Sequence, residues 1–292
     1  MSAKIIAEVG ECFNGDINTA FTMIKEAKKA GCDIVKFQLL DMDEVAEDDP
    51  EYSWFKKLEL DREKLALLIK WSKEIGIEIL FTPVSVKTAS YLIEYGIDTI
   101  KIASSFLKKR LFLEFINNHF KKVYMSTGMA ELSEIREGIK LLSKPEEVII
   151  MHCISEYPTG PLLEERGLSA LDERDAHLNM MTMLKKEFPE NKIGYSDHTD
   201  GIFVPLIAVA MGAEVIEKHF TLDRQTPINN YLNKKEYMGT DHVLSIEPDD
   251  LKTMVKEIRR VEKCQGNMKW ERSTGERILL DFLRGRYAKR DR

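Results

Sequence analysis

The chain has 292 residues, of which 43% are hydrophobic and 32% charged, and a formal net charge of −6. This is the composition of a globular domain rather than a disordered or fibrous one, and the acidic balance weighs against a nucleic-acid partner. No apolar run reaches the roughly 18 residues of a membrane span and the first residues lack signal-peptide anatomy, so no membrane partner and a cytoplasmic location are expected. Cys12, Cys32, Cys153 and Cys264 are scattered, with neither disulfide nor zinc spacing, and read as free thiols. In chain order, residues 4–9 form a strand, and residues 18–30 place Ala20, Met23, Ile24 and Ala27 on one helical face before Gly31, a C-cap. Residues 34–39 are the second strand and 60–75 the next helix, ended by Gly76. Strands follow at 78–82, 99–103, 122–126, 147–152, 192–196 and 215–218. Helices are predicted at about 87–95, 109–118, 132–142, 178–188, 202–211 and 248–264.

Strict alternation of strand and helix predicts a parallel sheet with right-handed crossovers. Eight such units predict closure into a (β/α)8 TIM barrel, one domain over residues 1–292, with a C-terminal helix beginning near 266. Two loops are long, 155–177 after strand six and 221–241 after strand eight. Long ordered loops are usually functional, and both fall at the C-terminal face, where barrel enzymes place their sites.

The strand ends are polar where barrel strands are otherwise apolar. Glu8 ends strand one, Lys36 and Gln38 strand two, and Thr82 strand three. Lys101 and Ser104 flank the end of strand four, Ser126-Thr127-Gly128 closes strand five and His152 strand six. Ser196-Asp197-His198 and Glu217-Lys218-His219 close strands seven and eight. Singly, each has a structural explanation, such as a snorkelling lysine or a helix cap. Together they converge on one mouth. Two lysines with several hydroxyls and a helix N-terminus suit phosphate and carboxylate, and His198 and His219 on neighbouring strands are able to share a divalent metal.

These blocks resemble the sialic acid synthase family. The resemblance is carried in order by Ala7-Glu8-Val9-Gly10, Val35-Lys36-Phe37-Gln38, Phe81-Thr82-Pro83, Lys101-Ile102-Ala103-Ser104 and Ser126-Thr127-Gly128-Met129. His152-Cys153, Tyr157-Pro158, Gly194-Tyr195-Ser196-Asp197-His198-Thr199 and Ile216-Glu217-Lys218-His219-Phe220-Thr221 continue it, and Gly239-Thr240-Asp241-His242 is similar to the family's Gly-Pro-Asp-His. It covers about residues 3–265.

The resemblance implies a metal-dependent condensation of phosphoenolpyruvate with an N-acylated hexosamine-type aldose, giving a nonulosonic acid and phosphate. It implies that Lys36, Thr82, Lys101, Ser104, Ser126 and Ser196 hold phosphoenolpyruvate. His198 and His219 would bind Mn²⁺, or Mg²⁺ or Co²⁺, and act in catalysis together with Glu8, an acid/base residue. Gln38, Ser155, Tyr157 and Asp241 fall on the sugar side. A homodimer is also common in the family.

There are also departures, of which those at Phe106 and Ser155 touch the sugar side. Cys12 and Phe13 replace the family's Asn-His, Phe106 a sugar-binding glutamate, and Ser155 an asparagine. Ser155-Glu156-Tyr157-Pro158 resembles the legionaminic and pseudaminic branches more closely, so a different sugar rather than a different reaction is expected. Arg224, Lys234 and Lys235 are candidates for meeting a second anionic group. Family members usually append an antifreeze-like domain, and residues 283–291 resemble the start of the linker to it. Two alternatives stay open: a phosphoenolpyruvate-dependent 3-deoxy-keto acid synthase acting on a phosphorylated sugar, and a silent sugar-phosphate-binding protein.

Overall fold

The computed structural model describes residues 2–49, 51–156, 173–225, 241–266 and 269–287. Eight parallel strands alternate with helices: β1 (Lys4–Glu8), β2 (Ile34–Leu39), β3 (Glu78–Pro83), β4 (Thr99–Ile102), β5 (Lys122–Ser126), β6 (Glu147–Cys153), β7 (Lys192–Asp197) and β8 (Val215–His219). Their hydrogen-bonded order is β3-β2-β1-β8-β7-β6-β5-β4. β3 and β4 lie side by side, so the ring closes there by side-chain packing, and the expected barrel is present.

Local chemistry explains the elements. The helix Ile17–Ala30 starts where the Asp16 carboxylate accepts the Asn18 N–H, and ends at Gly31, whose φ of 92° lets its N–H reach the Ala27 and Lys28 carbonyls. Its buried face is Ala20, Met23, Ile24, Ala27 and Ala30, the predicted stripe extended by one residue. The acidic segment after β2 also forms a short helix, Tyr52–Leu58, that the sequence pattern did not predict. It is anchored by buried Trp54, whose indole N–H donates to Glu11 at 3.0 Å.

Alternation along each strand separates two buried layers. Ile6, Ile34, Leu80, Tyr124, Ile149, Met151 and Val215 fill the barrel interior. Their outward neighbours, such as Ile5, Val35, Phe81, Val123, Ile150 and Ile216, join the larger core against the helices. Each fully buried aliphatic side chain contributes about 1.5–3 kcal/mol of transfer free energy. Two residues further along the inner face, Ile6 leads to Glu8, Ile34 to Lys36, Leu80 to Thr82, Tyr124 to Ser126, and Val215 to Glu217 and His219. β3, β6, β7 and β8 each run one residue beyond their predicted ends, to Pro83, Cys153, Asp197 and His219, whereas β1 and β4 stop one short, at Glu8 and Ile102. Polar residues that read as loop are held in the ladder because they face a partly polar mouth.

Candidate active site

The inner-face residues at the C-terminal ends form one buried ionic network. Lys101 donates to both oxygens of Glu217 at 2.7 and 2.8 Å, and Ser196 donates to the same carboxylate at 2.8 Å. Lys36 lies 3.0 Å from Glu8 and 3.4 Å from Glu217, and donates to Thr82 at 3.1 Å. Gln38 donates to Glu8 at 3.2 Å. All but Gln38 are fully buried or nearly so. The Ser126 hydroxyl, in the same layer, is buried and makes no hydrogen bond to a described residue. Ser104 sits at the rim, its hydroxyl accepting the Gly128 N–H at 3.0 Å.

The charge states follow from this packing. Burial pushes the Glu8 carboxyl up to about 7, helped by Glu217 and Asp241 and opposed by Lys36. Burial also acts to raise Glu217, but Lys101 and Lys36 outweigh it and hold that carboxyl well below its usual range. Burial lowers Lys101, with Glu217 opposing, whereas for Lys36 the pull of Glu217 and Glu8 prevails over burial. The site therefore holds one firmly ionised carboxylate and one poised to exchange a proton near neutrality, both beside two buried lysines.

Above this layer the two imidazoles meet, with ring centres 5.3 Å apart. His198 Nδ1 is 2.8 Å from the Ile154 carbonyl. That contact makes Nδ1 the donor and leaves the lone pair on Nε2, the arrangement of a metal-ligating histidine. Burial pushes His219 well below its ordinary range, with His198 and Lys36 adding to it, whereas contacts with Cys153 and Ile154 hold His198 above its own despite burial. Asp241 Oδ2 approaches His219 Nδ1 at 3.5 Å and accepts the Glu11 N–H at 3.1 Å. Gly10, with φ of 49°, makes this possible, because a Cβ there would collide with Asp241 Oδ2. Among the described residues no three His, Cys, Asp or Glu side chains already form a metal cage. Two adjacent imidazoles beside an acid group fit a divalent ion whose remaining positions are filled by substrate or water.

Three strand-end residues leave the mouth. The Asp197 carboxylate accepts from Lys218, the Tyr195 hydroxyl and the Thr199 N–H and hydroxyl, and Lys218 also donates to the Thr199 carbonyl. Both charges have no solvent exposure and lie on the outer faces of β7 and β8, where they lock the turn that carries His198. His152 also faces outward, against the Ala176 carbonyl at 2.9 Å and the Tyr195 ring. Their expected place in the mouth fails because residues next to an inward group point to the other face of the strand. Lys218→Met is expected to destabilise the fold by about 3–5 kcal/mol by leaving Asp197 buried without its cation, measured as a lowered denaturant midpoint.

The remaining candidates divide by location. Ser155 reaches the mouth beside Gly128, where a Cβ would meet its hydroxyl. Phe13 packs edge-on to outward-facing Phe37 at 6.2 Å, and Cys12 meets the Ser245 hydroxyl at 3.4 Å, so these two departures belong to the core. Phe106 packs on Phe112 at 5.4 Å. Arg224 is held by Asp200 at 2.8 Å and by the Val243 carbonyl. Tyr157, Lys234 and Lys235 lie outside the described residues. Sequence reasoning assigned no role to Glu217, which joins both lysines and Ser196. Its even spacing from His219 was the signal for an inward position.

Known proteins resemble this chain over most of its length. The model of the NeuB family matches residues 23–270. An uncharacterized protein of Methanocaldococcus jannaschii is 38% identical, over 98% of this chain and 79% of that one. An N,N'-diacetyllegionaminic acid synthase of Campylobacter jejuni is 35% identical, over 96% and 82%. The crystal structure of an N-acetylneuraminic acid synthetase from Leptospira borgpetersenii superposes with a TM-score of 0.84 at 33% identity, over 99% of this chain and 94% of that one.

Proposed function

The chain belongs to the NeuB family, and on that premise we propose that it condenses phosphoenolpyruvate with an N-acylated hexosamine-type aldose, giving a nonulosonic acid and phosphate. The observation that carries this reading is the buried Lys36–Glu8–Lys101–Glu217 network lying directly beneath the His198–His219 pair. An anion entering the mouth finds two ammonium groups, and the hydroxyls of Thr82, Ser126 and Ser196 supply donors for its oxygens. Glu217 holds Lys36 and Lys101 together, so they meet the substrate in a fixed geometry.

In the reaction, C3 of phosphoenolpyruvate bonds to the aldehyde carbon, water adds at C2, and phosphate departs with cleavage of its C–O bond. A divalent ion on His198 and His219, of which Mn²⁺ is the first to try, supplies Lewis acidity at the aldehyde oxygen when bound. Glu8, held by Gln38 and Lys36, takes the proton of the water. Asp241 and Gln38 face the sugar side, with Ser155 at the rim. The similarity to a legionaminic acid synthase favours a diacylated sugar over N-acetylmannosamine.

The test is phosphate release with Mn²⁺, phosphoenolpyruvate and a panel of free and phosphorylated aldoses. Turnover with N-acylated hexosamines is the expected result; release only with phosphorylated sugars that carry no N-acyl group would favour the 3-deoxy-keto acid alternative. Because Glu8 must be ionised to act as a base, kcat/KM is expected to rise with pH through about 7. Glu8→Gln should flatten that limb and cost about 10²–10⁴-fold. The same raised value means that Glu8 stabilises the fold fully below its ordinary 4.5, a contribution lost as pH rises through about 7.

A further inference from the structure

His242, next to Asp241, has no part in the proposed chemistry. It is 1% exposed and sits on the short helix Asp241–Leu244. Burial pushes its imidazole down to about 4, so the ring is neutral and carries one N–H. Nε2 lies 2.9 Å from the side-chain oxygen of Asn14, which only accepts, so the proton is on Nε2. Nδ1 then accepts the Thr221 hydroxyl at 2.9 Å, a closer partner for that hydrogen than the Asp223 carbonyl at 3.2 Å. The ring thereby ties the loop after β1 to the chain just beyond β8.

The loop that His242 grips, residues 10–15, is the one that holds Asp241. The Glu11 N–H donates to Asp241 Oδ2 at 3.1 Å, and Gly10 has no Cβ to obstruct that oxygen. Ser245 donates to the Asp241 carbonyl at 2.6 Å and meets Cys12 Sγ at 3.4 Å. The helix Tyr52–Leu58 braces the same loop. Trp54 donates to Glu11 Oε2 at 3.0 Å, and Gly15, with φ of 74°, passes so close to the Lys57 carbonyl that a Cβ would collide with it. Asn14 has φ of 55°, a left-handed conformation that asparagine tolerates. The helix Asp241–Leu244 is a single turn, too short to hold an orientation by its own hydrogen bonds. The His242–Asn14 bond fixes its rotation against the braced loop.

We propose that His242 is a positioning residue for the sugar side of the mouth, its bond to Asn14 setting the direction in which Asp241 presents its carboxylate to the aldose. The aldose itself rests on the proposed function; the geometry does not. Asp241 touches the sugar in that mechanism, and His242 acts through it. The lysines of the phosphoenolpyruvate end stand on β2 and β4, whereas this strap joins the ends of β1 and β8. It should therefore tune one substrate and leave the other unchanged.

The test is residue-resolved amide hydrogen exchange of the full chain, beside steady-state kinetics. His242→Leu keeps the bulk and removes both ring bonds, whereas Asn14→Gly tolerates the positive φ and removes only the acceptor. In both, exchange at the Glu11 N–H, the donor to Asp241, should quicken about tenfold, with exchange in the strands unchanged. KM for the aldose should rise by a similar factor while KM for phosphoenolpyruvate stays as in the wild type. The double variant should be little worse than His242→Leu, because the two changes share one bond. His242→Gln, which keeps an N–H toward Asn14, should restore most of the loss. The proposal is overturned if Glu11 exchange is unchanged in both variants, or if exchange quickens evenly through the barrel, as it would for a merely structural role. It is also overturned if the aldose KM does not move in a variant whose Glu11 exchange has. Exchange needs no substrate, so it decides the geometry even where no aldose turns over, a result that would count against the proposed function instead.

Discussion

His219→Ala is expected to lower turnover by about 10³-fold or more while the protein stays folded. The residue ends β8 facing inward, with its ring 5.3 Å from that of His198 and its Nδ1 3.5 Å from Asp241. In the proposed mechanism it is one of the two imidazoles that would hold the ion, so its loss would leave His198 alone in that role. The Lewis acidity at stake is worth several kcal/mol of transition-state stabilisation, and each 1.36 kcal/mol is a factor of ten in rate. The fold should tolerate the change, because His219 is neutral and the inner apolar layer lies below it. Phosphate release at saturating substrates gives the rate, the melting temperature gives the fold, and titration with Mn²⁺ should show weakened metal affinity. Turnover retained in the folded variant would remove the metal role.

Glu217→Ala is expected to be the most damaging change to stability among the mouth residues, costing about 3–5 kcal/mol. Lys101 gives both of its short hydrogen bonds to this carboxylate, and Ser196 and Lys36 lean on it as well. Without it Lys101 is a buried cation with no described carboxylate partner, whereas Lys36 keeps Glu8. A double variant, Glu217→Met with Lys101→Met, removes both charges together and should recover most of the lost stability without recovering activity. Chemical denaturation of the three proteins measures this. Phosphoenolpyruvate should raise the midpoint of Glu217→Ala more than that of the wild type, since the substrate supplies the anion the lysine has lost. Equal stability of Glu217→Ala and wild type would show that the network does not hold the mouth together.

The eight-fold alternation was legible because the helices carry 3.6-residue stripes and several have caps readable in the sequence, as at Asp16 and Gly31. The convergence of the polar strand ends was legible too: Lys36, Thr82, Lys101, Ser104, Ser126 and Ser196 all lie at the inner face or the rim of one mouth. The facing of neighbouring residues was not legible. In a parallel sheet buried on both sides, inward and outward positions are equally apolar, so Val215-Ile216 shows no alternation from which to orient Glu217-Lys218-His219. The middle residue turns outward to Asp197 and the outer two turn inward, a facing that the period of two gives only once one of the three has been placed.

What the sequence by itself determined was the order of the eight strands and of the helices that alternate with them, and the kinds of side chain delivered to the C-terminal face. Those properties are local, set by periodicity and capping within a few residues. Tertiary structure alone decided which of those side chains meet. Lys101 and Glu217 are 116 positions apart and touch only because strands from opposite parts of the ring aim their side chains at one axis. The depth at which each strand end reaches that axis is set by the register of all eight strands together, a property of the closed barrel that no single segment contains.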